Sequence, residues 1–181
     1  YQLNPEMPAA GMDRKSYLEA KFGGPEGAQK VYGRIEGAAA EAGLSVDFSR
    51  IVRTPCTLDA HRLIRWARIE GAQQRVVDIL FRRYFAEGQD ISDRGVLAET
   101  AEEAGLDREL VERLLESEAD REEVRAEDAA AREIGVSGVP TFLIGGKYVV
   151  QGAQEPELWA RVIAELQQAA EAEAETAEGR V

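Results

Sequence analysis

At 181 residues and 44% apolar content, the chain suits one compact domain, or a small domain carrying an insertion, with enough apolar material for its own core. A formal charge of -12, from 34 acidic against 22 basic residues, excludes the basic face that nucleic-acid binding needs, and no apolar run approaches the length of a membrane span. One cysteine excludes an internal disulfide framework and points to the cytoplasm, and one histidine excludes a His-rich zinc site.

The first residues, Tyr1-Gln2-Leu3-Asn4-Pro5, read as the end of a strand running into a proline-bounded loop, which implies an upstream partner strand. No basic start followed by an apolar stretch supports an intact signal peptide at Tyr1. Asp13 is placed to cap a helix over Arg14 to Phe22, and Pro25 opens a second, with Ala28, Val31, Tyr32, Ile35 and Ala39 as its apolar positions and Gly43 as its stop. The Gly23-Gly24-Pro25-Glu26-Gly27 segment lacks the lysine of a P-loop and the spacing of a dinucleotide fingerprint, so it reads as a turn.

Leu44 to Phe48 alternates as a short strand or extended link would. Thr54-Pro55 breaks the chain, Thr57 is placed to cap a helix over Leu58 to Glu70, and Gly71 closes it. Val76, Val77, Leu80, Phe81, Tyr84 and Phe85 form the next apolar stripe. Ser92 and Asp107 precede two shorter helices carrying Val96, Leu97 and Ala101, then Leu110, Val111 and Leu114. Asp120 to Ile134 is a charged helix whose mixture of Glu, Asp and Arg reads as a solvated face.

Val139-Pro140-Thr141-Phe142-Leu143-Ile144, Gly145-Gly146 and Lys147 to Gln151 then read as a proline-gated strand, a tight turn and a second strand. Pro140 cannot donate a ladder hydrogen bond, which leaves a backbone edge beside Val139 free for an extended peptide. Glu155-Pro156 starts a last helix with Leu158, Trp159, Val162, Ile163 and Leu166 on its buried side. The Ala- and Glu-rich stretch from Ala169 to Val181 reads as a frayed helix end or disordered tail.

Val139-Pro140-Thr141-Phe142, the Gly-Gly hairpin and the Gly152-Ala153-Gln154 entry to the last helix resemble the cis-proline loop and closing hairpin of the thioredoxin superfamily. With Gln2 to Pro8, Gly11-Met12-Asp13 and Thr57 to Ile64, the resemblance narrows to the FrnE-like branch of the DsbA family and runs from Tyr1 to about Leu166. It implies an α/β thioredoxin-like core, incomplete at its N-terminus, interrupted by a large inserted α-helical domain. The expected divisions are 1–12 for the end of the first thioredoxin-like unit, 13–118 for the helical insertion, 119–168 for the closing helix, hairpin and helix, and 169–181 for the acidic tail. It also implies a cis bond at Pro140 and a peptide-docking role for Val139 and Pro140.

Members of that branch carry a Cys-x-x-Cys pair, which this chain lacks. Thiol-disulfide exchange needs an attacking thiolate and a resolving thiol, so this chain is expected to be inactive in dithiol exchange. Cys56, just before the Leu58 helix, and His61, on the face shared with Leu58 and Arg65, are the candidate active groups. The competing readings make Cys56 a small half-buried residue and His61 a packed, backbone-bonded one.

The leading expectation is a FrnE-like thiol-disulfide oxidoreductase, without metal or cofactor, acting on thiols or disulfides of proteins or peptides, not membrane-bound, and with an exposed sheet edge on which two copies could pair. The alternatives are a relative of the 2-hydroxychromene-2-carboxylate isomerases and kappa-type glutathione transferases, which would use glutathione, and a non-catalytic peptide-binding or chaperone module.

Overall fold

The computed structural model describes residues 1–178, the side chains of Pro25 and 170–178 excepted. The chain divides into two compact units, Tyr1–Ala131 and Arg132–Val181.

The larger unit begins with coil where a strand end was expected. Prolines 5 and 8 remove two ladder donors, and the chain turns instead, Met7 N–H donating to Asn4 O (3.1 Å) and Gly11 N–H to Pro8 O (2.7 Å). The buried Gln2 amide donates to the carboxylate of buried Asp128 at 2.7 Å. Strand β1 (Met12–Asp13) follows and pairs antiparallel with β2 (Arg53–Thr54). Helix α1 (Arg14–Phe22) starts on the Asp13 carboxylate, which accepts from the Ser16 amide at 2.9 Å, and ends at Gly23 in the left-handed region. Helix α2 (Pro25–Glu41) buries Ala28 and Ala39, but Ile35 is exposed. No strand forms over Leu44 to Phe48: Leu44 is exposed, and a single 3-10 turn forms over Phe48–Arg50.

The core lies among α3 (Leu58–Ile69), α4 (Gln73–Phe81), α5 (Arg94–Glu103) and α6 (Arg108–Glu116), where Leu63, Ala67, Val76, Leu97, Ala101 and Leu115 are completely covered. The stripe after Gln73 splits in two. Val76, Leu80 and Tyr84 recur every four residues and are buried, whereas Phe81 is exposed, and the chain widens to a π-helical turn over Arg82–Ala86 that carries Tyr84 inward. Asp93 rather than Ser92 caps α5, its carboxylate accepting from the Val96 amide at 3.0 Å, while Ser92 is held in a turn by Asp90. Helix α7 (Arg121–Glu133) is not simply a solvated face, because Val124 and Asp128 on it are buried.

The smaller unit contains β3 (Thr141–Ile144) paired antiparallel with β4 (Tyr148–Gln151), in register from Thr141 opposite Gln151 to Ile144 opposite Tyr148. Gly145 and Gly146, at φ 57° and 70°, supply the two consecutive left-handed residues of a type I′ hairpin, and Lys147 N–H donates to Ile144 O at 3.1 Å. Helix α8 (Pro156–Glu178) packs Trp159 edge-on against Phe142, with ring centroids 4.6 Å apart. Leu158, Trp159, Val162 and Leu166 are half-buried and Ile163 is exposed, so the expected apolar side is narrower than its sequence. The acidic segment from Ala169 continues α8 to Glu178; its remainder, 179–181, lies outside the described residues. No described helix is long and apolar enough to cross a membrane.

Candidate functional site

The proline loop sits at the start of β3. The Val139–Pro140 peptide is cis. Two bonds brace the loop: Thr141 Oγ1 donates to Gly138 O at 2.7 Å, and Gly152 N–H, from beyond β4, donates to Pro140 O at 2.7 Å. Between those anchors, neither the N–H nor the C=O of Val139 has a hydrogen-bond partner among the described residues, and Val139 is 53% exposed. A backbone donor and acceptor presented together beside a strand is what an added extended segment needs. The sequence points to this edge because Pro140 has no N–H of its own to donate; the two bracing bonds leave the neighbouring Val139 backbone open.

Cys56 and His61 lie at the start of α3, in the larger unit. Cys56 is a free, half-buried thiol two residues before the first helical position. Thr57 occupies the cap position, but its hydroxyl makes no capping bond: with φ -91° and ψ 8° its backbone leaves the extended region from which a side-chain cap reaches forward. Its carbonyl does the local work, accepting from the His61 amide at 3.0 Å and lying 2.7 Å from His61 Nδ1. His61 Nε2 lies 3.2 Å from Tyr1 O. The imidazole is thus clamped between two backbone carbonyls, and burial pushes its pKa below the ordinary histidine value while the Thr57 and Tyr1 carbonyls oppose the shift. It borders a small cavity of about 190 Å³ lined also by Gln2, Arg65, Glu127 and Asp128.

Just behind His61, the structure brings together a cluster that the sequence did not single out. Arg62 is fully buried, donating from Nη1 to Asp59 Oδ1 (2.7 Å), from Nε to Ala119 O (2.7 Å) and from Nη2 to Leu114 O (2.6 Å) and Ser117 O (2.9 Å), with its guanidinium 4.9 Å from the Trp66 ring centroid. Asp120, at φ 58°, accepts from the Trp66 indole (2.8 Å) and Arg65 Nε (3.1 Å); the indole bond first, and then Arg65, hold its carboxyl below the ordinary range. The available signal was the Asp59 to Arg62 spacing of three on one helix face. Among the described residues no cluster of His, Cys, Asp and Glu could hold a metal ion.

The chain is similar to known proteins in three respects. A family model described as the DSBA-like thioredoxin domain matches residues 1–164. The crystal structure of a probable DsbA oxidoreductase from Streptomyces coelicolor superposes with a TM-score of 0.82 at 31% identity, covering 91% of this chain and 72% of that one. The uncharacterized protein YwbO of Bacillus subtilis (strain 168) is 28% identical over 134 residues, 74% of this chain; that is 66%, just under two thirds, of the relative's length.

Proposed function

Because this chain belongs to the DSBA-like thioredoxin domain family and has its α/β thioredoxin fold with a large helical part, we propose that it provides the peptide-docking and helical portion of a FrnE-like thiol-disulfide oxidoreductase. The observation that carries this reading is the open backbone of Val139 beside the cis Pro140, exposed and braced on both sides. A protein or peptide substrate aligns its backbone there in extended form, so that recognition rests on main-chain bonds and tolerates many sequences.

The 181-residue chain holds one cysteine, so no dithiol cycle closes within it. In this reading Cys56 is a small half-buried packing residue and His61 a packed, backbone-bonded histidine at the start of α3. The reducing cytoplasm suits a chain with no internal disulfide to protect.

The test pairs two measurements on the 181-residue chain. Insulin reduction by dithiothreitol, followed as turbidity, is unchanged by adding the chain. Titration with reduced, S-alkylated insulin B chain gives saturable binding, which Val139→Pro, lacking the amide donor, weakens at least fivefold while its circular dichroism stays native. Turnover of insulin by a preparation of verified mass, or equal binding by the variant, would overturn the reading. Upstream coding sequence bearing a lone Ser or Cys in place of Cys-x-x-Cys would favour the glutathione-using alternative.

A further inference from the structure

The larger unit contains a cleft, far along the sequence from the proline loop, that none of the chemistry above uses. It is an open groove of about 670 Å³ along α1, α2 and the 3-10 turn, a volume within the range of roughly 300–1,000 Å³ usual for small-molecule sites. Leu18, Ala28, Phe48, Ile51 and Val52 supply apolar walls, and the Tyr32 ring stacks on Phe48 with centroids 4.4 Å apart and planes inclined by 18°.

Arg14 also lines this cleft, and its electrostatics are unusual for the chain. Nη1 donates to Thr54 Oγ1 (3.1 Å) and more weakly to Tyr84 Oη (3.5 Å), Nη2 donates to Tyr32 Oη, and Nε is buried without a partner among the described residues. The guanidinium lies 5.3 Å from the Tyr32 centroid. Every one of these partners is neutral. Burial raises the Tyr32 and Tyr84 phenols above their ordinary pKa, so neither supplies a negative charge near neutral pH. The two buried arginines differ: Arg62 is neutralised by Asp59, and Arg83 by Glu99 and Glu103. Arg14 has no carboxylate within 4.0 Å among the described residues.

A half-buried cation held in place by hydroxyls, uncompensated and facing an apolar cleft, is an incomplete ion pair. The geometry points to a small-molecule site for an amphipathic monoanion, an aliphatic or aromatic carboxylate whose head pairs with Arg14 and whose apolar body lies against Leu18, Phe48 and Val52. The exposed Asp13, Glu19 and Glu36 carboxylates and the exposed Lys15 also line the cleft; three acids against one further base, with the net charge of -12, oppose a second negative charge on the ligand. Lying in water, they act weakly on a head group seated against Arg14, where the local dielectric is lower.

The experiment is isothermal titration of the 181-residue chain with decanoate below its micelle-forming concentration, beside decanol and decyl phosphate. Decanoate is expected to bind saturably with one site per chain, at least tenfold tighter than decanol and tighter than decyl phosphate at a pH where the phosphate is dianionic. Val52 is 74% exposed, so Val52→Glu leaves folding intact while placing a carboxylate in the cleft; it is expected to weaken decanoate at least tenfold, as is Arg14→Met. Absence of saturable decanoate binding, equal affinity for decanol, preference for the phosphate, or unchanged affinity in Val52→Glu would each overturn the site. Should Arg14→Met fail to fold, the ligand series and Val52→Glu decide alone. This outcome is independent of peptide binding at Val139.

Discussion

Replacing Arg62 by Met keeps an unbranched side chain of similar length but removes the charge and every donor from a position with no solvent access. The guanidinium ties α3 to the last turn of α6 through Leu114, to the chain between α6 and α7 through Ser117 and Ala119, and to Asp59 within α3. The losses are unequal. Leu114 O keeps the Ser117 amide (3.2 Å) and Ser117 Oγ (2.8 Å), and Asp59 keeps Arg121 (3.2 Å), whereas among the described residues Ser117 O and Ala119 O have only Arg62. Two orphaned carbonyls at about 1–2 kcal/mol each, with the lost stacking on Trp66, give a destabilisation of about 3–5 kcal/mol, the range found when one member of a buried ion pair is removed. For a chain of this size that is a fall in Tm of roughly 6–20 °C. Urea unfolding followed by circular dichroism at 222 nm measures it. Arg62→Lys, a single ammonium in place of a planar fork, is expected to fall between the variant and wild type. Arg108→Met, which breaks only exposed pairs with Glu102 and Glu112, serves as a control with an unchanged midpoint. A cost below about 1 kcal/mol for Arg62→Met would show that water or rearranged backbone satisfies those carbonyls, and would refute the account of Arg62 as the clasp of this unit.

His61 gives a pH dependence with a definite sign. Its folded pKa is depressed, mainly by burial, so below the unfolded value of about 6.5 the unfolded chain binds the proton preferentially and stability falls as pH drops. Unfolding free energies from urea curves between pH 7.5 and 5.5 should decline by no more than about 1.4 kcal/mol per pH unit, the slope for one proton, and an equal decline in His61→Gln would assign the effect elsewhere. Gly88 sits at φ 72°, and an added Cβ would meet the Arg50 carbonyl oxygen at 2.4 Å; Gly88→Ala is therefore expected to cost at least about 2 kcal/mol in thermal unfolding, since backbone must move as well as twist. Asp120→Ala, which leaves the Trp66 indole without its acceptor and puts a poor residue at φ 58°, should cost about 2 kcal/mol and alter the Trp66 emission spectrum, while Asp120→Asn retains most of the stability.

Local signals carried much of the larger unit. Asp13 and Asp107 cap the helices they precede, Pro25 opens one, and Gly145-Gly146 makes the hairpin, because each of these acts through its own backbone angles or through a neighbour three residues away. Pro140 as a residue with no donor of its own was legible for the same reason, whereas the open Val139 backbone beside it, unpaired among the described residues, depends on the bonds that brace the loop. What escaped the sequence depends on partners far along the chain. The spacing of apolar residues could not distinguish buried Tyr84 from exposed Phe81, since a π-helical turn resets the helical phase between them. Nor could it show Arg62 as core: an arginine reads as surface until four acceptors, three of them backbone carbonyls more than fifty residues away, are folded around it. Asp120 looked like one acid among many until Trp66 and Arg65 were brought against it, and Arg14 like an ordinary first-turn cation until Thr54, Tyr32 and Tyr84 surrounded it without a carboxylate. Capping and turn geometry are local properties that the residue types specify by themselves. The compensation of a buried charge is a property of distant chain segments meeting, and only the tertiary structure decides it.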